Sequence, residues 1–196
     1  MDDREVIDWT QRWVSEVVIG LNLCPFAKGV FDAGLIRYVV TPATDEETLV
    51  AHLDQELKAL SLAPRAEIET TLLIHPYVLG DFLDYNDFLD VANHRLRALR
   101  LQGVIQIASF HPQFQFADTE PGDITNATNR APYPTLHLLR EESVDRAVAA
   151  FPEAEAIFER NMATLEKLGT RGWATLRRQW EADAAVDVAT KPAAQG

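Results

Sequence analysis

Apolar residues recur at helical spacing in the first segment: Val6, Trp9, Trp13, Val14, Val17 and Leu21 share one face of residues 4–21. Gly20, Asn22 and Pro25 punctuate its end. The period then changes. Residues 35–41 (LIRYVVT) are rich in β-branched and aromatic side chains and lie between Gly34 and Pro42, which predicts a strand. Residues 44–47 (TDEE) have capping-box spacing, with Thr44 and Glu47 satisfying each other's free amides, and open a helix to about residue 60. Residues 69–75 (ETTLLIH) predict a second strand. Residues 81–101 predict a long helix with Phe82, Leu83, Phe88, Leu89, Ala92, Leu96 and Leu99 on its apolar face. Third and fourth strands follow at 104–110 and 135–140. Ser143 is placed to cap a short helix to residue 150. Residues 153–168 predict another, ended by Gly169, and a last amphipathic segment carries Trp173, Leu176 and Trp180.

The resulting order is αβαβαββαα. Strands joined by helical crossovers lie parallel with right-handed connections, and the third and fourth pair antiparallel. This describes an α/β fold, with α+β as the alternative: a single domain over residues 1–181 around a small mixed four-stranded sheet packed by helices. Residues 182–196, mostly Ala, Asp and Thr, have nothing to bury and are expected to form a flexible tail. Three parallel strands would place their carboxyl ends along one edge, where ligands bind in open α/β sheets.

One connection is out of proportion. Residues 109–134, SFHPQFQFADTEPGDITNATNRAPYP, join the third and fourth strands, a task that usually takes about 2–5 residues in a hairpin. A long ordered loop of this kind points to function. The second strand ends at His75-Pro76 and the third at His111-Pro112, so two imidazoles would emerge at matching positions on one edge. His111 is the candidate general acid or base, and His75 a candidate contact for the substrate; each also suits a strand-end residue bonded to a backbone carbonyl. Arg130 sits beside Ala131-Pro132-Tyr133-Pro134, where the prolines stiffen the chain, and a rigidly held guanidinium suits a carboxylate or phosphate. Asn126 and Asn129 are candidate substrate contacts, or else turn residues capping the loop's own backbone. Phe114, Phe116 and Tyr133 are expected to anchor the loop on the core. Arg140 closes the fourth strand and is a further candidate contact. Cys24, in Leu23-Cys24-Pro25-Phe26-Ala27-Lys28, is either a thiolate nucleophile beside a cation or a structural residue. A redox Cys-x-x-Cys reading fails, because Ala27 stands where the second cysteine would be.

Composition narrows the setting. The 196 residues are 47% hydrophobic, which suits one folded domain, and 30 acidic against 18 basic residues give a net charge of −12. That balance argues against nucleic acid and against anionic membrane as partners. No apolar run approaches the roughly 20 residues of a membrane span. The acidic start lacks a secretory signal's basic flank and apolar core, so a cytoplasmic location is expected. A single cysteine excludes an internal disulfide and a multi-thiolate metal cage.

Two segments, GLNLCPFAK and QIASFHPQFQFADTEPGDITNATNRAPYPTLHLLREES, resemble an uncharacterised bacterial family, domain of unknown function 1415. The resemblance covers nearly the whole chain except the tail. It implies a soluble single-domain protein and brings no activity, cofactor or catalytic residues with it. From the residues themselves, the leading expectation is a small-molecule enzyme acting on an anionic metabolite where the strand ends meet the 111–134 loop. The alternatives are a non-catalytic ligand-binding or protein-interaction module, and a metal-dependent hydrolase using His75, His111 and His137. The sequence names no cofactor and no oligomeric state.

Overall fold

The computed structural model describes residues 2–150 and 156–190, with side chains up to residue 178. Beyond Thr190, the tail expected over 182–196 lies outside the described residues, as do the helix start expected at 153 and the Trp180 side chain.

The Asp2 carboxylate accepts the Arg4 amide and starts α1 (Asp3–Arg12). The helix runs on without a break into a π-type segment, Trp13–Ile19, whose wider turns bury Trp13, Val14 and Val17 together. A Cβ at Gly20 would collide with the Glu16 carbonyl oxygen, so glycine is needed where this segment ends. The apolar spacing predicts the helix and gives no sign of the change in turn. A short helix that the sequence reading did not anticipate follows, α2 (Ala27–Asp32). Then come β1 (Ile36–Val40), α3 (Glu46–Leu62), β2 (Thr70–Ile74), α4 (Phe82–Ala98) and β3 (Ile105–Phe110). A 3-10 helix (Ile124–Asn129) interrupts the long loop before β4 (Thr135–Arg140), α5 (Glu141–Ala150) and α6 (Ile157–Thr190).

Three local expectations need correction. The cap of α3 is Asp45, one residue later than Thr44, with one carboxylate oxygen accepting the Thr48 amide at 2.8 Å and the other its hydroxyl at 3.0 Å. Leu83 lies in the first turn of α4 on the solvent side, 71% exposed; Tyr85, Phe88, Ala92 and Leu96 form the buried face. Helix α5 springs directly from the end of β4 at Glu141, two residues ahead of Ser143.

The sheet order is β1-β2-β4-β3. β1 and β2 are parallel, and β4 runs antiparallel to both β2 and β3. The mixed α/β architecture is therefore the expected one, with β1, β2 and β3 sharing a direction and β4 inserted between the last two. One face packs against α3 and α4 through Leu49, Leu53, Leu57, Leu73, Phe88, Leu136 and Leu138. The other packs against the first helical unit and α6 through Val6, Trp13, Val17, Leu72, Ile74, Leu165 and Trp173. Each fully buried leucine contributes roughly 1.5–3 kcal/mol by leaving water. Among the described residues, no helix is long and apolar enough to cross a membrane.

Register fixes the edge. Ile74 and Phe110 both stand opposite Thr135, so His75 and His111 leave their strands at one level on either side of β4. Tyr85, fully buried on α4, ties this level together: its hydroxyl donates to the Thr135 carbonyl at 2.9 Å and accepts the Phe110 amide at 3.1 Å. Replacing Tyr85 with Phe keeps the ring and strands both backbone groups. Urea unfolding should show a loss of about 1–3 kcal/mol; an unchanged midpoint would mean that the hydroxyl does not hold the edge.

Candidate functional site

His75 and His111 stand beyond Ile74 and Phe110, which face the α1–α6 layer, so alternation turns both imidazoles to the α4 side. Both are fully buried. Their rings lie 5.7 and 5.1 Å from the Tyr85 ring, and Phe82 lies 5.5 Å from His111. The His111 Nδ1 accepts the Gln113 amide at 3.0 Å, which leaves the proton on Nε2 to donate to the Leu79 carbonyl at 3.1 Å. Burial lowers its pKa from the ordinary value, against the pull of the Leu79 carbonyl and of Asp81. Both nitrogens are thus engaged, Nε2 with the Leu79 turn and Nδ1 with the start of the long loop. His75 donates from Nδ1 to the Val78 carbonyl at 3.1 Å, while its Nε2 is buried without a hydrogen-bond partner among the described residues. Burial brings its pKa down to about 4. The matched pair foreseen at the strand ends exists, and it is sealed inside the protein.

The loop is tied down by its own polar side chains. Asn126 is fully buried; its Oδ1 accepts the Phe116 amide and the Thr119 hydroxyl, each at 2.9 Å, and its Nδ2 donates to the Glu120 carbonyl at 2.9 Å. Asp123 caps the 3-10 helix by accepting the Thr125 amide. Asn129 donates from Nδ2 to the Ser109 carbonyl at 3.1 Å, and its own carbonyl receives the His111 amide at 3.2 Å. Both asparagines therefore hold the loop in shape, the second of the roles the sequence allowed them. Phe114 packs edge-on against Phe82 and Phe116, which meets Phe158 of α6 in turn.

Other candidates lie apart. Arg140 is at the opposite end of the sheet, where its guanidinium donates to the carbonyls of Ala63, at 2.7 Å, and Ile68, at 3.0 Å; it clamps the connection between α3 and β2. His137 stands opposite Leu72 and Ala108, facing the α1–α6 layer, with Nε2 bonded to the Thr70 hydroxyl at 2.8 Å. The trio His75, His111 and His137 is thereby divided between two faces of the sheet. Among the described residues, no group of three or more His, Cys, Asp or Glu side chains is gathered as a metal would require. Cys24 follows Leu23, which packs in the α1–α6 layer and whose carbonyl receives Asn161 Nδ2 at 2.8 Å. Burial raises the Cys24 thiol pKa, opposite to what a reactive thiolate needs. The fold thus places Cys24 and His111 in different layers.

What the edge does offer is a cleft on the α1–α6 side. It is lined by Trp9, Pro112, Arg130, Ala131, Pro132, Trp173 and Arg177 and has a cavity volume of about 90 Å³. Pro112 opens the long loop and Arg130, Ala131 and Pro132 close it, so the bond from the His111 amide to Asn129 brings both ends of the loop to one wall. Half-buried Arg130 is pinned by Nε to the Phe114 carbonyl at 3.2 Å and by Nη2 to the Pro121 carbonyl at 2.7 Å. Burial first, and then the neighbouring Arg177 charge, press its pKa below the guanidinium norm, against the pull of Asp123. Arg177 was not among the residues the sequence singled out. It lies one helical turn beyond Trp173, and that i, i+4 spacing was the only signal available. Both reach the cleft because α6 breaks at Gly169, whose φ of 67° and ψ of 169° are open essentially to glycine alone.

The buried imidazoles carry a pH signature. A pKa lowered from 6.5 to about 4 means that the folded state holds His75 neutral where the unfolded chain would protonate it. The stability from this source is complete above about pH 6.5 and is lost as pH falls toward 4, by roughly 3 kcal/mol at 1.36 kcal/mol per pKa unit. His137, also held at about 4, adds to the same slope. Replacing His75 with Asn retains a donor for Val78 and removes the titration. Unfolding free energies measured from pH 7.5 to 4.5 should fall less steeply in the variant; parallel slopes would show that His75 does not titrate in this range.

A family model described as "Protein of unknown function (DUF1415)" matches residues 5–175. No curated protein and no solved structure matches the chain. The match runs from the first turns of α1 past Trp173 and takes in the sheet, the long loop and every cleft residue except Arg177; the chain belongs to the DUF1415 family.

Proposed function

We propose that the protein binds a small anionic molecule in the cleft between α1, the 112–132 loop and α6. The observation that carries this reading is the convergence of two guanidiniums, Arg130 from the loop and Arg177 from α6, on one recess of a chain whose net charge is −12. The Arg177 charge lies close enough to press on Arg130, and an anion held in the recess would relieve that repulsion. Arg130 is preorganised for this, since its contacts with two carbonyls fix the plane of the guanidinium without neutralising it. Asp123 pulls on the Arg130 charge from outside the cleft lining, while its carboxylate also accepts from Thr125.

Binding is better supported than turnover. Among the described residues, the cleft lining includes no thiol, imidazole or carboxylate that could act as nucleophile or general base. His111 contributes indirectly, by fixing the point from which Pro112 enters the wall.

The test is a thermal-shift panel of phosphate, sulfate and small carboxylates on the full chain, on Arg130→Ala and on Arg177→Gln. A ligand at a hundredfold its Kd stabilises by about 2.7 kcal/mol, which for a chain of this size shifts Tm by roughly 5–10 °C. Each variant should lose most of that shift. Equal shifts in all three proteins would move the site elsewhere.

A further inference from the structure

We infer a second ligand site, in the groove between the Cys24 segment and the start of α6, for a hydroxylated anion: a polyol chain ending in one acidic group. It is independent of the anion-binding reading of the cleft. The groove has a volume of about 310 Å³, at the lower end of the roughly 300–1,000 Å³ of small-molecule pockets. Its α6 wall precedes the break at Gly169, whereas Trp173 and Arg177 of the cleft follow it. On that wall Asn161 is 6% exposed and donates from Nδ2 to the Leu23 carbonyl at 2.8 Å, which ties α6 to the Cys24 segment. On the other wall Asn22 holds a left-handed φ of 53°, which asparagine tolerates better than most residues, and its amide donates to the Ile19 carbonyl at 2.9 Å. Both walls are therefore set before a guest arrives.

The side chains on these walls choose the guest. With Nδ2 spent on Leu23, the Asn161 Oδ1 takes no hydrogen bond among the described residues, and a carboxamide oxygen set this deep calls for a donor. Thr164, one turn further along α6, and Asn22 on the facing wall can each donate and accept. Lys167 continues the same face of α6 and brings an ammonium with no ion pair among the described residues. Arg160 lines the groove as well but has an interaction of its own, so Lys167 is the cation that a guest can claim. Among the described residues no carboxylate lines the groove, so a cationic donor would sit against positive charge unpaired, and a hydroxyl is the donor that suits Asn161. The lining also lacks an aromatic ring on which a flat guest could stack. An acidic group at Lys167 with hydroxyls at Thr164, Asn161 and Asn22 satisfies each of these groups in turn.

Calorimetric titration of the full chain with gluconate, glucose 6-phosphate, glucose and hexanoate tests this. Gluconate or glucose 6-phosphate should bind at least about tenfold tighter than glucose and than hexanoate, and the tighter of the two names the acidic group. Lys167 is exposed and Thr164 half-buried, so substitutions at both should leave the fold intact. Lys167→Gln should weaken that ligand about tenfold, and Thr164→Val, which keeps the shape and removes the hydroxyl, about fivefold. Hexanoate binding as tightly would show that the hydroxyls are not read, and glucose binding as tightly that the charge is not; either overturns the assignment. Binding undiminished by both substitutions would overturn it too, by moving the ligand out of the groove. If none of the four binds, this site falls and the cleft reading stands.

Discussion

The structure depends on β4 being held antiparallel between two strands that run the other way. At its first residue, Thr135 stands level with Ile74 and Phe110, and the Tyr85 hydroxyl bridges its carbonyl to the Phe110 amide. One step further out, the His75 amide donates to Pro134 and the His111 amide to Asn129. These bonds close the carboxyl edge, and they set where both ends of the long loop must stand. A buried amide without a partner costs about 1–3 kcal/mol, so each contact is also a strong selector of register.

Topology alone does not call for the loop. β3 and β4 are neighbours in antiparallel register, and a turn of a few residues would connect them. The chain instead leaves the edge, folds a 3-10 turn around buried Asn126, and returns through two prolines. The entropy lost in ordering it is offset by bonds that point inward, from Asn126, Asp123, Thr119 and Asn129, and by the Phe114–Phe116–Phe158 contacts that fasten it to α6. Outward, the loop presents a firm wall of Pro112, Arg130, Ala131 and Pro132. The polar side chains of the loop form its frame, and the surface it turns to the cleft is made of Pro112, Arg130, Ala131 and Pro132.

This division explains what could be read from the sequence. Strand spans, helix spans and the shared carboxyl edge follow from periodicity and punctuation, which are local. The roles of the histidines do not, because the His111 proton is placed by Leu79, far away in the chain, and its burial by α4. Spacing cannot tell an imidazole that emerges from a strand end from one that turns beneath it. Arg140 lies away from the loop for a similar reason: a strand has two ends, and the loop begins at the other. Arg177 was missed because its approach to Arg130 depends on the direction α6 takes after Gly169, a backbone choice with no periodic trace.

An acidic chain would seem a poor host for an anion, and the balance is decided by distance. At physiological salt the field of scattered surface carboxylates decays over about 8 Å, so a net charge of −12 is felt mainly as a weak, screened background. On the proposed reading, Arg130 and Arg177 would act at contact range, beside the apolar walls formed by Trp9, Pro112 and Trp173. The acidic surface, on the same reading, would slow the approach of an anion only modestly, and the contact-range charges of the cleft would decide whether it stays.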